Sequence, residues 1–243
     1  MNRLIFLLFL FLTACGTPSG GAVNKSAKIH TELAGLYFSR NQFGVALEEI
    51  DQALQADRNF AQAYNVRGLV HMALHEDEQA ENDFKRSLSL DKNDSDAHNN
   101  YGWFLCQRSR EKESIPHFMA ALKNPLYRTP SSSLLNAGIC SRKMGKNEDA
   151  EEFFHRALAV QPGIQQALLA LAEMNFADGK YVAAKRYFSE FSRVNDNLSA
   201  EQLWLAVRIA RAVGDRNSAA SYAMQLDKRF PASREAQLLM SDK

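Results

Sequence analysis

Two thiols, two paired imidazoles and a run of amides are the groups in this sequence whose types and spacing offer chemistry. Cys106 and Cys140 stand 34 residues apart. A thiolate becomes a nucleophile or redox centre when a neighbouring cation lowers its pKa, and nothing beside either cysteine looks like an activating histidine. In an oxidising compartment such a pair reads first as a disulfide, provided the Cα atoms come within about 7 Å. That bridge contributes roughly 3–4 kcal/mol by the loop-entropy model; buried free thiols and a thiol-redox centre are the alternatives. His71 and His75 lie four apart, as metal-binding histidines on a helix do, but Met72 stands where H-E-x-x-H has its Glu, and no third ligand is evident. One packed and one turn histidine is the plainer expectation. With no glycine-rich phosphate loop and no G-x-S-x-G, the sequence predicts no catalytic residues, no metal and no cofactor.

The amides lie beside the first thiol, in His98-Asn99-Asn100-Tyr101-Gly102-Trp103-Phe104-Leu105-Cys106. On a helix, spacings of three and four bring Asn99 or Asn100, Trp103 and Cys106 to one face. An Asn carries both a donor and an acceptor, so it can pair with the main chain of an extended peptide whatever that peptide's side chains are. It can also bond to its own backbone or cap a neighbouring turn.

The elements that position these groups emerge from self-comparison. A small residue followed four positions later by a bulky one recurs as Ala46/Ile50, Ala80/Phe84, Ser114/Phe118, Ala150/Phe154 and Ala184/Phe188, with Ala219 continuing the series. The steps between the small residues are 34, 34, 36, 34 and 35. A second small position, Ala34, Gly68, Gly102, Gly138 and Ala172, keeps register upstream. Glycines at 145, 179 and 214 mark turns. Small side chains belong where two helices of a unit approach most closely, and the bulky one fills the gap to the neighbour. A unit that cannot bury its apolar face alone must stack.

This pattern resembles the tetratricopeptide repeat, a 34-residue helix-turn-helix. The resemblance implies an all-α fold, a right-handed superhelix of six repeats at 27–60, 61–94, 95–130, 131–164, 165–198 and 199–233, followed by a C-terminal tail at 234–243. The sixth repeat is off register by one residue. Two extra residues between the third and fourth repeats fall in 124–133, whose prolines mark a longer turn, and Pro116 is expected in the first turn of its helix.

The chain begins with Met1-Asn2-Arg3 and nine residues of Leu, Ile and Phe, Leu4 to Leu12, and the exit from this block reads Leu12-Thr13-Ala14-Cys15 with Leu12 as its last apolar residue. Nine apolar residues fall short of the roughly 20 needed to span a bilayer. A basic start, a short apolar block and small residues make a secretory signal, and here they resemble the bacterial lipoprotein signal, which implies cleavage after residue 14 and lipid on Cys15. Gly16 stands where the inner-membrane retention signal has Asp, so the resemblance implies a lipid anchor in the outer membrane of a Gram-negative cell, facing the periplasm. Residues 16–26 read as a flexible tether that stretches to at most about 40 Å. Loss of residues 1–14 removes Arg3 and leaves 28 Lys plus Arg against 28 Asp plus Glu. A neutral chain lacks the basic surface that nucleic-acid binding needs.

In the tetratricopeptide frame, helix A of each repeat turns positions 2, 5, 9, 12 and 13 inward, with 6 beside them. The resemblance therefore implies a protein-binding groove of Phe38, Asn65, Leu69, Met72, Asn99, Asn100, Trp103, Asn136 and Ile139. Aligned apolar side chains of this kind mark binding surfaces when exposed. Thr31 and Gly35 stand where a carboxylate clamp has Lys and Asn, so capture of a free C-terminus by that route is not expected. Lipoprotein signal, six repeats, NNYGWFLC in the third and LLNAGIC in the fourth together resemble the type IV pilus biogenesis and stability lipoproteins of the PilW/PilF family. That resemblance implies a pilotin: an outer-membrane lipoprotein that binds the pilus secretin, promotes its localisation and multimer assembly, and stabilises the fibre, possible contacts with other pilus proteins included. A periplasmic scaffold for cell-envelope enzymes would use the same groove on another client.

Overall fold

The computed structural model describes residues 20–241. Thirteen α-helices make up the regular structure of these residues. The first twelve form antiparallel pairs: α1 (Gly20–Ser39) with α2 (Phe43–Ala56), α3 (Ala61–Ala73) with α4 (Asp77–Leu90), α5 (Ser95–Gln107) with α6 (Glu111–Ala121), α7 (Pro130–Lys143) with α8 (Asn147–Val160), α9 (Gln165–Ala177) with α10 (Tyr181–Ser192), and α11 (Ala200–Ala212) with α12 (Arg216–Arg229). A short α13 (Arg234–Ser241) packs on α11 and α12. The chain divides after Leu90 into two compact units, one holding α1–α4 and the other α5–α13. Residues 1–14, expected to be a signal peptide, and Cys15, expected to carry lipid, lie outside the described residues.

In α3/α4, α5/α6 and α7/α8 the pair is fixed by a glycine-phenylalanine contact. A Cβ added at Gly68 would come 2.8 Å from the ring of Phe84, at Gly102 2.9 Å from Phe118, and at Gly138 2.6 Å from Phe154. All three rings are fully buried. The missing side chain lets helix A close onto the ring of helix B, so the small and bulky positions of the repeat are two sides of one contact. Starts of helices are set locally. The Asp94 side chain accepts from the backbone N–H of Asp96 and Ala97, Ser199 and Gln202 form a reciprocal capping box, and Asp215 accepts from the N–H of Ser218.

Between the helices of each pair, one residue adopts the left-handed conformation: Asn41 (φ 58°), His75 (61°), Ser109 (58°), Gly145 (73°), Gly179 (74°) and Gly214 (75°). The turn is the same in all six pairs, and the first three simply lack the glycine. His75 is thus the turn histidine. His71 is the packed one, its Nδ1 2.5 Å from Glu76 Oε2. An L-residue at this φ costs about 1–2 kcal/mol, and glycine gives back roughly 0.5–1 of that through its freer unfolded chain. His75→Gly and Ser109→Gly should therefore each raise stability by about 0.5–1 kcal/mol, read as higher urea midpoints.

Three boundaries differ from expectation. Helix α1 starts at Gly20, so residues 20–26 are helical where a tether was expected to run to Ser26; Ala27 is buried, and a helix anchored there extends backward at one hydrogen bond per residue. Residues 234–241 are α13 rather than a tail, because Ala236 and Leu239 bury an apolar stripe that closes the last pair. Pro116 lies in the second turn of α6, not its first, since the helix begins at Glu111. It is tolerated because both Pro116 and Lys112, whose carbonyl loses its N–H partner, are exposed to water.

Candidate protein-binding face

The stripe of α5 that carries Asn99, Trp103 and Cys106 meets the stripe of α7 that carries Ser133, Asn136 and Cys140. Asn99 Oδ1 accepts from Ser133 Oγ at 2.9 Å and from Asn136 Nδ2 at 3.1 Å. Asn99 Nδ2 in turn donates to Asn100 Oδ1 at 3.4 Å. At the other end of the seam Cys106 and Cys140 form a disulfide, with Cα atoms 5.9 Å apart and both residues fully buried. Trp103 packs, half-buried, on the cluster of Cys106, Phe118, Ala137 and Cys140. Two amides, an indole and a thiol thus share a helix face because that face is where one repeat is fastened to the next.

This corrects the role expected of Asn99, whose carbonyl oxygen is taken up by α7 rather than held out for a peptide. Asn65, at the same repeat position in α3, is also withdrawn: it is only 6% exposed. Asn100, Trp103, Asn136 and Ile139 keep partial exposure in the second unit, as do Leu69 and Met72 in the first. Phe38, also partly exposed, packs against the first unit's core beside Phe43, with ring centroids 6.0 Å apart.

Further along the second unit the same face opens into two adjoining concavities. The first, of about 400 Å³, is lined by Ile139, Arg142 and Lys143 of α7 and by Leu169, Ala170 and Glu173 of α9. The second, of about 360 Å³, shares Arg142, Leu169 and Glu173 and adds Gln202, Leu205 and Arg208 of α11. Arg142 and Glu173 form an ion pair across the floor at 2.7 Å. Arg208 lies over the ring of Phe176 at 4.8 Å and near that of Trp204 at 5.8 Å. Apolar walls with a few oriented polar groups are what a recognition groove requires.

One pair of imidazoles lies in the third repeat. His98 Nδ1 and His117 Nδ1 are 3.0 Å apart, and the ring of Tyr101 meets His117 edge-on at 4.6 Å. Burial first, then the neighbouring His98, holds the His117 pKa down at about 4, against a smaller opposing pull from Glu113. Between pH 6.5 and 4 the unfolded chain takes up a proton at this site that the folded chain refuses, so stability is fully present above about pH 6.5 and falls as pH drops toward 4. His117→Gln should flatten that loss: urea midpoints at pH 7 and pH 4.5 should lie closer together in the variant than in the parent. Among the described residues no group of three or more His, Cys, Asp or Glu side chains could hold a metal ion.

Comparison with known proteins places this architecture. The tetratricopeptide repeat family matches residues 61–94 and 141–191. The type IV pilus assembly protein PilF of Pseudomonas aeruginosa is 28% identical over 99% of this chain and 98% of its own length. The structure of Pseudomonas aeruginosa PilF superposes with a TM-score of 0.85 over 91% of this chain and all of that one, at 27% identity. The crystal structure of PilW, a widely conserved type IV pilus biogenesis factor, is 35% identical, with a TM-score of 0.78 over 89% of this chain and 99% of that one. The chain belongs to the PilW/PilF family of type IV pilus tetratricopeptide-repeat proteins. Of the groove residues expected from the sequence, Ile139 lines the first concavity; Leu169 and Glu173 fall on inner positions 5 and 9 of the fifth repeat, whereas Trp204 and Arg208 fall on positions 6 and 10 of a sixth repeat counted from 199. Counting the sixth repeat from residue 200 instead of 199 puts Trp204 at position 5 and Arg208 at position 9, and the one-residue step in the turn glycines was the available signal.

Proposed function

We propose that this protein is a pilotin of the type IV pilus machinery, anchored by lipid on Cys15 in the outer membrane and facing the periplasm. Its repeats bind the pilus secretin, favour its localisation and multimerisation, and so stabilise the pilus. The single observation that carries the reading is similarity to PilF over 99% of this chain, which covers the leader as well as the repeats. Family membership supports a cell-envelope role in which protein–protein contacts with the pilus machinery do the work. Among the described residues no helix is long and apolar enough to cross a membrane, which fits attachment through a lipidated terminus. The tether would confine the search to the membrane surface and raise the effective concentration of a membrane-bound client.

The experiment is co-purification and secretin multimer analysis from envelopes. The parent should enrich the secretin; enrichment of peptidoglycan enzymes instead would favour an envelope scaffold. Trp103→Ala combined with Leu69→Ala should weaken secretin capture roughly 10- to 100-fold, as truncating an aromatic anchor does, and deplete multimers with helix content retained. Unchanged multimers would remove these two side chains from the mechanism, and Cys15→Ala should release the protein from the membrane fraction.

A further inference from the structure

We propose that the face formed by α7, α9 and α11 receives an extended peptide segment in which an acidic side chain lies beside an apolar one, with Arg208 taking the carboxylate. That the segment belongs to the secretin rests on the reading above; the recognition chemistry does not. Arg208 is exposed, and its recorded partners are the two aromatic rings, with no carboxylate among them. A guanidinium drawn to two aromatic faces is confined near them, and its N–H groups can still meet a carboxylate in two parallel hydrogen bonds. Lys143, exposed on the same face, reaches only the carbonyl of Cys106, at 3.4 Å. The face therefore presents Arg142, Lys143 and Arg208 against Glu173 and Glu201, and Glu173 is already engaged by Arg142. Its electrostatic complement is acidic.

Shape sets the rest of the ligand. The two concavities join at Leu169, and Ile139 and Leu205 stand in their walls, so an apolar side chain lies within reach of the Arg208 edge. Three adjacent helices at about 8–10 Å spacing span roughly 16–20 Å, the length of about five or six extended residues. Nucleic acid is disfavoured by the apolar walls and the near-neutral chain, formally +1.

Selection from a random 12-residue peptide library displayed on phage, against the immobilised full chain, tests this directly. Enriched peptides should pair Asp or Glu with Leu, Ile or Phe within two residues. Their capture should fall about 10-fold or more in Arg208→Gln and partly recover in Arg208→Lys, which keeps the charge but loses the fork. Arg156→Gln on α8 should leave capture unchanged, and circular dichroism checks that each variant is folded. Absence of enrichment, enrichment without acidic bias, or equal capture by Arg208→Gln overturns the proposal. So does the outcome in which Arg208→Gln abolishes binding to phosphatidylglycerol vesicles and not to peptides. Secretin capture that fails while acidic peptides are still selected would defeat the pilotin reading and leave this one standing.

Discussion

Phe154→Ala is expected to destabilise the protein by about 3–5 kcal/mol, the usual cost of emptying a buried phenylalanine site, and to lower the melting temperature on the order of 10 °C for a chain of this size. The ring is fully buried in the second unit's main core, and its edge faces Gly138, where any Cβ would sit 2.6 Å away. Truncation therefore leaves a hole bounded by two backbones already in close approach, which cannot collapse much further. The converse change tests the same contact from the other side. Gly138→Ala gains about 1 kcal/mol of helix propensity but overpacks against a fully buried ring in the core cluster that also holds Ala150 and Leu171. Overpacking costs typically 1–3 kcal/mol, so at this separation the net sign should be destabilising. If the two effects share one contact, Phe154→Leu should partly rescue Gly138→Ala, and denaturant melts of the four proteins would show a non-additive cycle. Additive costs would mean that the pair does not set the helix approach.

The same contact explains why the repeats were legible in the sequence. Gly68 with Phe84, Gly102 with Phe118 and Gly138 with Phe154 each lie 16 residues apart, so the geometry of helix closure is written as a period. The turn residues are half-visible for the same reason: Gly145, Gly179 and Gly214 announce a left-handed backbone, whereas Asn41, His75 and Ser109 hold it without a compositional mark. The ends escaped. Two adjacent glycines at 20 and 21 and the Ala-Val-Asn-Lys-Ser after them carry no apolar stripe, and α13 is fixed by only two buried side chains. The binding face was harder still, because an amide's partner is decided by another repeat. Nothing in the spacing of Asn99 distinguishes an open groove from a bond to Ser133 and Asn136, 34 and 37 residues away. The Cys106–Cys140 bridge was legible because two thiols have few other fates, whereas an amide has many partners open to it.

Removal of the Cys106–Cys140 disulfide should cost about 3–4 kcal/mol, the loop-entropy value for a bridge closing 34 residues. The loop contains α6, the long turn and most of α7, so the open unfolded chain regains freedom over a whole helix-turn-helix. Cys106→Ala with Cys140→Ala is the suitable variant, since serines would bury hydroxyls where the cysteines have no exposure. Two signatures separate this loss from the Phe154 cavity. Without the cross-link the unfolded ensemble expands, so the denaturant m-value should rise as well as the midpoint fall, whereas a cavity moves the midpoint alone. The seam should also loosen where Trp103 packs on the cluster that holds both cysteines, shifting indole fluorescence to the red before global unfolding. The bridge is too deeply buried for exchange: alkylation of the folded, unreduced protein should label neither cysteine, and thiol reductants should act only at the rate of local opening. Rapid native-state reduction with stability unchanged would reverse the assignment, making the pair a redox couple rather than the fastening between the third and fourth repeats.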